Sequence, residues 1–143
     1  MLDFIYQAFA ARIVFGSGKV SEIAAEVDRL GGKSALVIST GSQRAVADAA
    51  IERLGGNFAV RIDGAVMHVP RADVNDAVAL ARRQGCDSVV AIGGGSAIGL
   101  AKGIALDTGL PVIAVPSTYA GSEMTDIWGI SEGDGKVTGR APV

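Results

Sequence analysis

The sequence predicts an α/β domain built on a mostly parallel sheet with helices on both faces, and three observations carry that class. Short apolar runs alternate with segments of helical period. The runs "SVVAI" (88–92) and "PVIAVP" (111–116) are continuously apolar, as in strands covered on both sides. Glycines stand at the joints between the two kinds of segment. With 143 residues, 49% of them apolar, the chain fits one domain and can bury a core.

The opening "MLDFIYQAFAARIVF" is apolar, but it carries Asp3 and Arg12, lacks a basic leader and has no run long enough to span a bilayer. It reads as a strand lead-in. After "FGSGK", Val20, Ile23, Ala24 and Val27 fall at i, i+3, i+4, i+7, one face of a helix closed by Gly31 and Gly32. "SALVIST" follows as a strand. Val46, Ala49, Ala50 and Leu54 mark the stripe of a second helix ended by Gly55 and Gly56, and "FAVRI" is the next strand. "HVPRAD" turns the chain. Asp73 is placed as the N-cap of a third helix whose buried face is Val74, Ala77, Val78 and Ala81 and whose end is Gly85. The strand "SVVAI" comes next, and then a helix, Ala97 to Leu106, so apolar all round that it belongs between the sheet and another layer. "PVIAVP" is the last strand, and the polar, glycine-rich "SEGDGKVTGRAP" is left without an element. The order β-α-β-α-β-α-β requires right-handed crossovers and gives a Rossmann-like arrangement.

Composition excludes several classes of function. Thirteen basic against fifteen acidic side chains, with no basic run and no aromatic-basic interleaving, give no surface for a nucleic acid. No membrane partner is expected either. The single cysteine, Cys86, has no partner for a disulfide and adjoins the apolar run, so it reads as a structural thiol suited to the cytoplasm.

The chemistry concentrates at "VVAIGGGSAIGLAK" (89–102). In an open parallel sheet, ligands sit beyond the carboxyl ends of the strands. Gly93, Gly94, Gly95 and Ser96 lie at such an end, where glycines let a backbone come within hydrogen-bond distance of an anion and a helix start offers free N–H groups. The pattern is not G-x-G-x-x-G, and no acidic residue follows about 20 positions later to hold a ribose. The bland alternative is a tight turn whose glycines serve packing alone. A second cluster, "AVPSTYAGSEMTDIWG", brings Ser117, Thr118, Ser122 and Thr125 to another carboxyl edge, with Tyr119 and Trp128 as planar faces; by itself it is a loop with caps.

"GGGSAIGLAK" followed by "LPVIAVPSTYAGSEMTDIWGI", with "FGSG" at 15–18 and "HVP" at 68–70, resembles the amino-terminal half of the maleylacetate reductases, within the iron-containing alcohol dehydrogenase superfamily. "TYAGSEMT" is the specific part. The wider superfamily tends to carry "TTAGTGSE" there and an aspartate three residues after the serine of the glycine turn, where this chain has Gly99. The resemblance implies the amino-terminal domain of the dehydroquinate synthase-like fold over residues 1–143, binding NADH or NADPH. It also implies reduction of the carbon–carbon double bond of maleylacetate to 3-oxoadipate, a small-molecule dicarboxylate chemistry of aromatic-compound breakdown, with a homodimer as the assembly to look for.

Carried over by position, the resemblance implies that Gly93, Gly94, Gly95 and Ser96 cradle the pyrophosphate and that Ser117 and Thr118 lie along the nucleotide near the adenine and its ribose. Thr40, in "STGS", stands where many NAD-specific relatives carry an aspartate. Its hydroxyl removes a repulsion toward a 2′-phosphate worth roughly 1–4 kcal/mol, so NADPH is expected to be tolerated. The superfamily's iron or zinc ligands come from a helical carboxy-terminal domain that these residues do not include. His68 is the single histidine and reads as a local packing or capping residue, since a catalytic zinc-type site needs about three protein ligands. No residue is assigned to catalysis. Lys136 and Arg140 are the cations near the second cluster's end; they read as solvated, the alternative being that they face a dicarboxylate substrate or the cofactor phosphates, and Asp126 stands where the resemblance leads one to expect proline. The chain is expected to be the cofactor-binding part of a longer enzyme. A nucleotide-binding remnant without catalysis, or a glycerol dehydrogenase-like or other superfamily relative, is the alternative.

Overall fold

A computed structural model describes residues 10–142. Four strands, β1 (Ala35–Ser39), β2 (Phe58–Asp63), β3 (Ser88–Gly93) and β4 (Val112–Pro116), form one parallel sheet in the order β2-β1-β3-β4. Four helices connect or precede them: α1 (Ile23–Arg29), α2 (Arg44–Leu54), α3 (Arg71–Arg83) and α4 (Gly95–Thr108). β1 and β3 are fully buried, which accounts for their lack of alternation.

The pleat sends alternate residues of those strands into two cores. Leu36, Ile38, Val89 and Ala91 meet α3 and α4 on one face, while Ala35, Val37, Val90 and Ile92 meet α1 and α2 on the other. The α3 face is the predicted one: Val74, Ala77, Val78 and Ala81 are all buried. On α4, eight consecutive or near-consecutive residues from Ala97 to Ala105 are buried, as an all-apolar helix requires.

Three expectations are corrected. The buried stripe of α2 is Ala47, Ala50 and Leu54, and Val46 and Ala49 face outward, because alanines on both sides of the stripe leave its phase undefined in sequence. Asp73 lies in the first turn of α3 and is not its cap; Pro70 takes that position, its ring fixing φ at −59°. The segment left without an element forms an antiparallel hairpin with the residues before it, β5 (Ile127–Glu132) and β6 (Gly135–Arg140), turning at Gly133-Asp134 with Gly133 at φ +55°. The lead-in strand falls largely on residues 1–9, outside the described residues; 10–15 form no strand.

The hairpin is anchored to the α3–α4 face. Ile130 is buried beside α4, and Ser131 donates its backbone N–H to the Val69 carbonyl at 3.0 Å and its hydroxyl to the His68 carbonyl at 2.6 Å. These bonds hold a strained turn, with His68 at φ +69° and Val69 at φ +42°. Val69 is buried, and its Cγ2 lies 2.8 Å from where a Cβ on Gly99 would stand. Glycine at 99 therefore makes room for Val69.

Candidate functional site

The chain leaves β1 toward β2 on one side and returns to β3 on the other, so the sheet order reverses between β1 and β3. A crevice at the carboxyl ends of two such strands is where open α/β sheets take ligands. Thr40 follows β1 there, Gly93 ends β3, and Ser117 follows β4; the Ser117 N–H donates to the Gly93 carbonyl at 3.0 Å. The sequence-predicted residues Thr40, Gly93–Ser96, Ser117 and Thr118 thus meet at one edge.

Each glycine of the turn has a separate geometric reason. Gly93 sits at φ +146°, and a Cβ on it would come 3.1 Å from both Thr40 Cγ2 and Thr40 Oγ1 and 3.2 Å from Ala97 Cβ. Gly94 is the residue before α4, and a Cβ there would lie 2.7 Å from Thr118 Oγ1. A Cβ on Gly95 would meet Ala120 at 3.8 Å. The turn is a narrow cradle with Thr40 on one wall and Thr118 and Ala120 on the other. The first helical bond of α4 runs from Ile98 N–H to the Gly94 carbonyl at 3.2 Å, and no side chain among the described residues caps the helix start. The N–H groups of Gly95, Ser96 and Ala97 are the unpaired donors expected of such a start.

On the β1 side, the Thr40 carbonyl accepts the Gln43 N–H at 2.9 Å, and the Thr40 and Ser42 hydroxyls lie 3.4 Å apart. Arg44 opens α2, largely exposed, 3.6 Å from Asp63. The Asp63 carboxylate accepts from the buried Ser39 hydroxyl at 2.7 Å and from Arg61. The Ser39 bond, ahead of Arg61, holds its pKa below the ordinary value against the effect of burial.

The second cluster is mostly exposed from Ser117 to Gly121, with Tyr119 at 91%. Trp128, on β5, is half-buried against the α3–α4 core and does not lie in this loop. Arg140 pairs with Asp126 at 3.5 Å and Lys136 is exposed on β6, so of the two cations only Lys136 is simply solvated. His68 is exposed and contributes its carbonyl rather than its ring to the Ser131 contact. Cys86 is half-buried, and burial, then Asp87, pushes its thiol pKa up, which suits a structural role. Sequence reasoning missed Lys102, whose ammonium donates to two carbonyls of the second cluster; a lysine closing an apolar motif gives no sign of acceptors 23 and 25 residues away.

Residues 10–141 match the family model described as iron-containing alcohol dehydrogenase. This chain belongs to that family. Maleylacetate reductase 2 of Cupriavidus pinatubonensis is 49% identical over 98% of this chain and 39% of its own length. The crystal structure of maleylacetate reductase from Agrobacterium tumefaciens matches with a TM-score of 0.91 and 46% identity, over 99% of this chain and 41% of that one. That of maleylacetate reductase from Rhizobium sp. strain MTP-10005 gives 0.90 and 46%, over the same 99% and 41%. The chain therefore spans about two fifths of the length of the relatives it matches.

Two groups that the iron-containing alcohol dehydrogenase family implies can be tested against these residues. A nicotinamide nucleotide fits: the cradle at Gly94 is one that a single methyl group would fill, beside an uncapped helix start. A metal ion does not fit among the described residues, where no three His, Cys, Asp or Glu side chains converge. Nor, among the described residues, is any helix long and apolar enough to cross a membrane.

Proposed function

We propose that this chain is the NAD(P)H-binding domain of a maleylacetate reductase-like oxidoreductase. The supporting observation is the glycine cradle at the switch point of the sheet, opening onto a helix start that no described side chain caps. In this reading the N–H groups of Gly95 and Ser96 donate to the diphosphate, and Gly93 and Gly94 keep the approach clear. Ser117 and Thr118 line the adenosine side. When bound, the nucleotide supplies the hydride that reduces the double bond of maleylacetate to give 3-oxoadipate. The metal ligands and the other wall of the substrate cleft come from a separate helical domain, in cis or in trans. That wall is required because hydride transfer needs both reactants held in near-attack geometry away from water.

Thr40 sets the expectation for the phosphorylated cofactor. It offers a hydroxyl, with Ser42 beside it and Arg44 at the start of the next helix, where a carboxylate would repel a 2′-phosphate. NADPH is expected to bind within about a hundredfold of NADH, a span of about 2.7 kcal/mol.

The experiment is a fluorescence titration of the chain with NADH and NADPH, followed by addition of a helical domain from a maleylacetate reductase. Binding by the chain alone, and maleylacetate-dependent NADH oxidation only after addition, is the expected result. Failure to bind either nucleotide overturns the reading of the cradle. Binding without restored turnover reduces the chain to a nucleotide-binding module.

A further inference from the structure

Lys102 lies about two turns into α4 and is only 4% exposed, a rare state for a lysine. Its Nζ donates to the Thr125 carbonyl at 2.6 Å and to the Ile127 carbonyl at 2.8 Å, the two that flank Asp126. Burial, the largest influence, lowers its pKa; Asp126 and Glu123 act the other way and favour the charged ammonium. Those carboxylates are themselves sheltered. The Asp126 side chain is 10% exposed, and Glu123 has a buried carboxylate oxygen with no hydrogen-bond partner among the described residues. Buried charges of this kind are tolerated when they balance one another.

Between its ends the segment that Lys102 grips is lightly held. Residues 117–121 are exposed and Met124 is 57% exposed. Backbone bonds run from Ser117 N–H to the Gly93 carbonyl at one end and from Ala141 N–H to the Asp126 carbonyl at the other, with Met124 N–H to the Gly121 carbonyl inside it. Yet Thr118 in this segment forms one wall of the glycine cradle. The same helix that begins at the cradle therefore reaches back, through one side chain, to fix the far end of the loop that walls it.

We propose that Lys102 is a positioning residue for the nucleotide site: it latches the 117–127 segment to α4 and so sets the width of the cradle between Gly94 and Thr118. This rests on the cofactor reading above. The device explains why an apolar, largely buried helix keeps a long cation, and it assigns Asp126 a role as the sheltered counter-charge between Lys102 and Arg140.

The test compares wild type, Lys102→Met and Lys102→Arg by NADH affinity, melting temperature and energy transfer from Trp128, the chain's single tryptophan, to bound NADH. Lys102→Met is expected to weaken NADH binding about tenfold, as loss of a charged donor does, and to lower the transfer per bound nucleotide. Lys102→Arg restores part of both. Unchanged affinity and transfer in a folded Lys102→Met protein, whatever its melting temperature, overturns the latch. If that variant does not fold, limited proteolysis of wild type and Lys102→Arg decides: faster cleavage within 117–127 in Lys102→Arg supports the latch, and equal cleavage overturns it. Wild type that fails to bind NADH is a failure of the cofactor reading, and the proteolysis measurement then still judges the latch.

Discussion

The two walls of the crevice are built in opposite ways. The glycine turn is specified by backbone: Gly93 at φ +146°, a helix start behind it, and the buried Ile92 and Ala97 on either side set its path. The loop after β4 is held at its ends, since most of its own residues are exposed and it is tied by one bond to Gly93, by Lys102, and by the Ala141 N–H and the Arg140 side chain at Asp126. A site assembled this way has one rigid jaw and one adjustable jaw. On the cofactor reading proposed above, the glycine turn takes the diphosphate and the loop after β4 faces the rest of the nucleotide.

Substitutions can break that contrast in order of effect. Gly94→Val places a side chain where the Cβ alone would stand 2.7 Å from Thr118 Oγ1, and its remaining methyl groups fill the cradle. NADH affinity in a fluorescence titration is expected to drop about a hundredfold or more, about 2.7 kcal/mol, while the far-ultraviolet circular dichroism stays native. Undiminished affinity would remove the rigid jaw from the site. Thr40→Asp tests the edge of that jaw nearest β1. It should leave NADH binding within about threefold and weaken NADPH about tenfold, from a repulsion of roughly 1–4 kcal/mol. Equal losses for both cofactors would place the 2′ position elsewhere.

The smallest effect sharpens the comparison from a distance. Glu26 on α1 accepts from Arg12 and Arg29, and the Arg12 bond, then that of Arg29, holds its pKa down to about 2 from 4.5. A depressed carboxylate pKa stabilises the folded state fully above the unfolded value and ceases to as the group protonates. The tether of the Arg12 segment is therefore intact above pH 4.5 and loosens as pH falls from 4.5 toward 2. An NMR pH titration should show the Glu26 carboxyl leaving its ion pairs in that window while the α4 amides from Ile98 onward stay protected.

How much of this was legible in the sequence follows the same division. The glycine turn could be read because the residue type itself encodes the backbone it permits, and the α3 face because three-and-four spacing of valine and alanine against charged neighbours fixes a phase. The α2 stripe slipped by one position where alanine lies on either side of the buried line. The β5–β6 hairpin went unread because β6, "GKVTGR", is almost entirely exposed and shows no apolar alternation; its "EGDG" turn was the available signal. The Lys102 latch was invisible, since its acceptors are main-chain carbonyls that carry no letter of their own. Asp126, unexplained by the sequence, gains a reason only when Lys102 and Arg140 are seen beside it.

The bare α-carbon at Gly99 and the wedge of Val69 form a lock and its key cut from distant parts of the chain. Because Val69 holds an unfavourable backbone conformation, costing on the order of 1–3 kcal/mol, the vacancy at 99 is what keeps that conformation seated. Installing a side chain at 99 would therefore displace the valine, release the turn at His68 and loosen the hairpin that Ser131 ties to it.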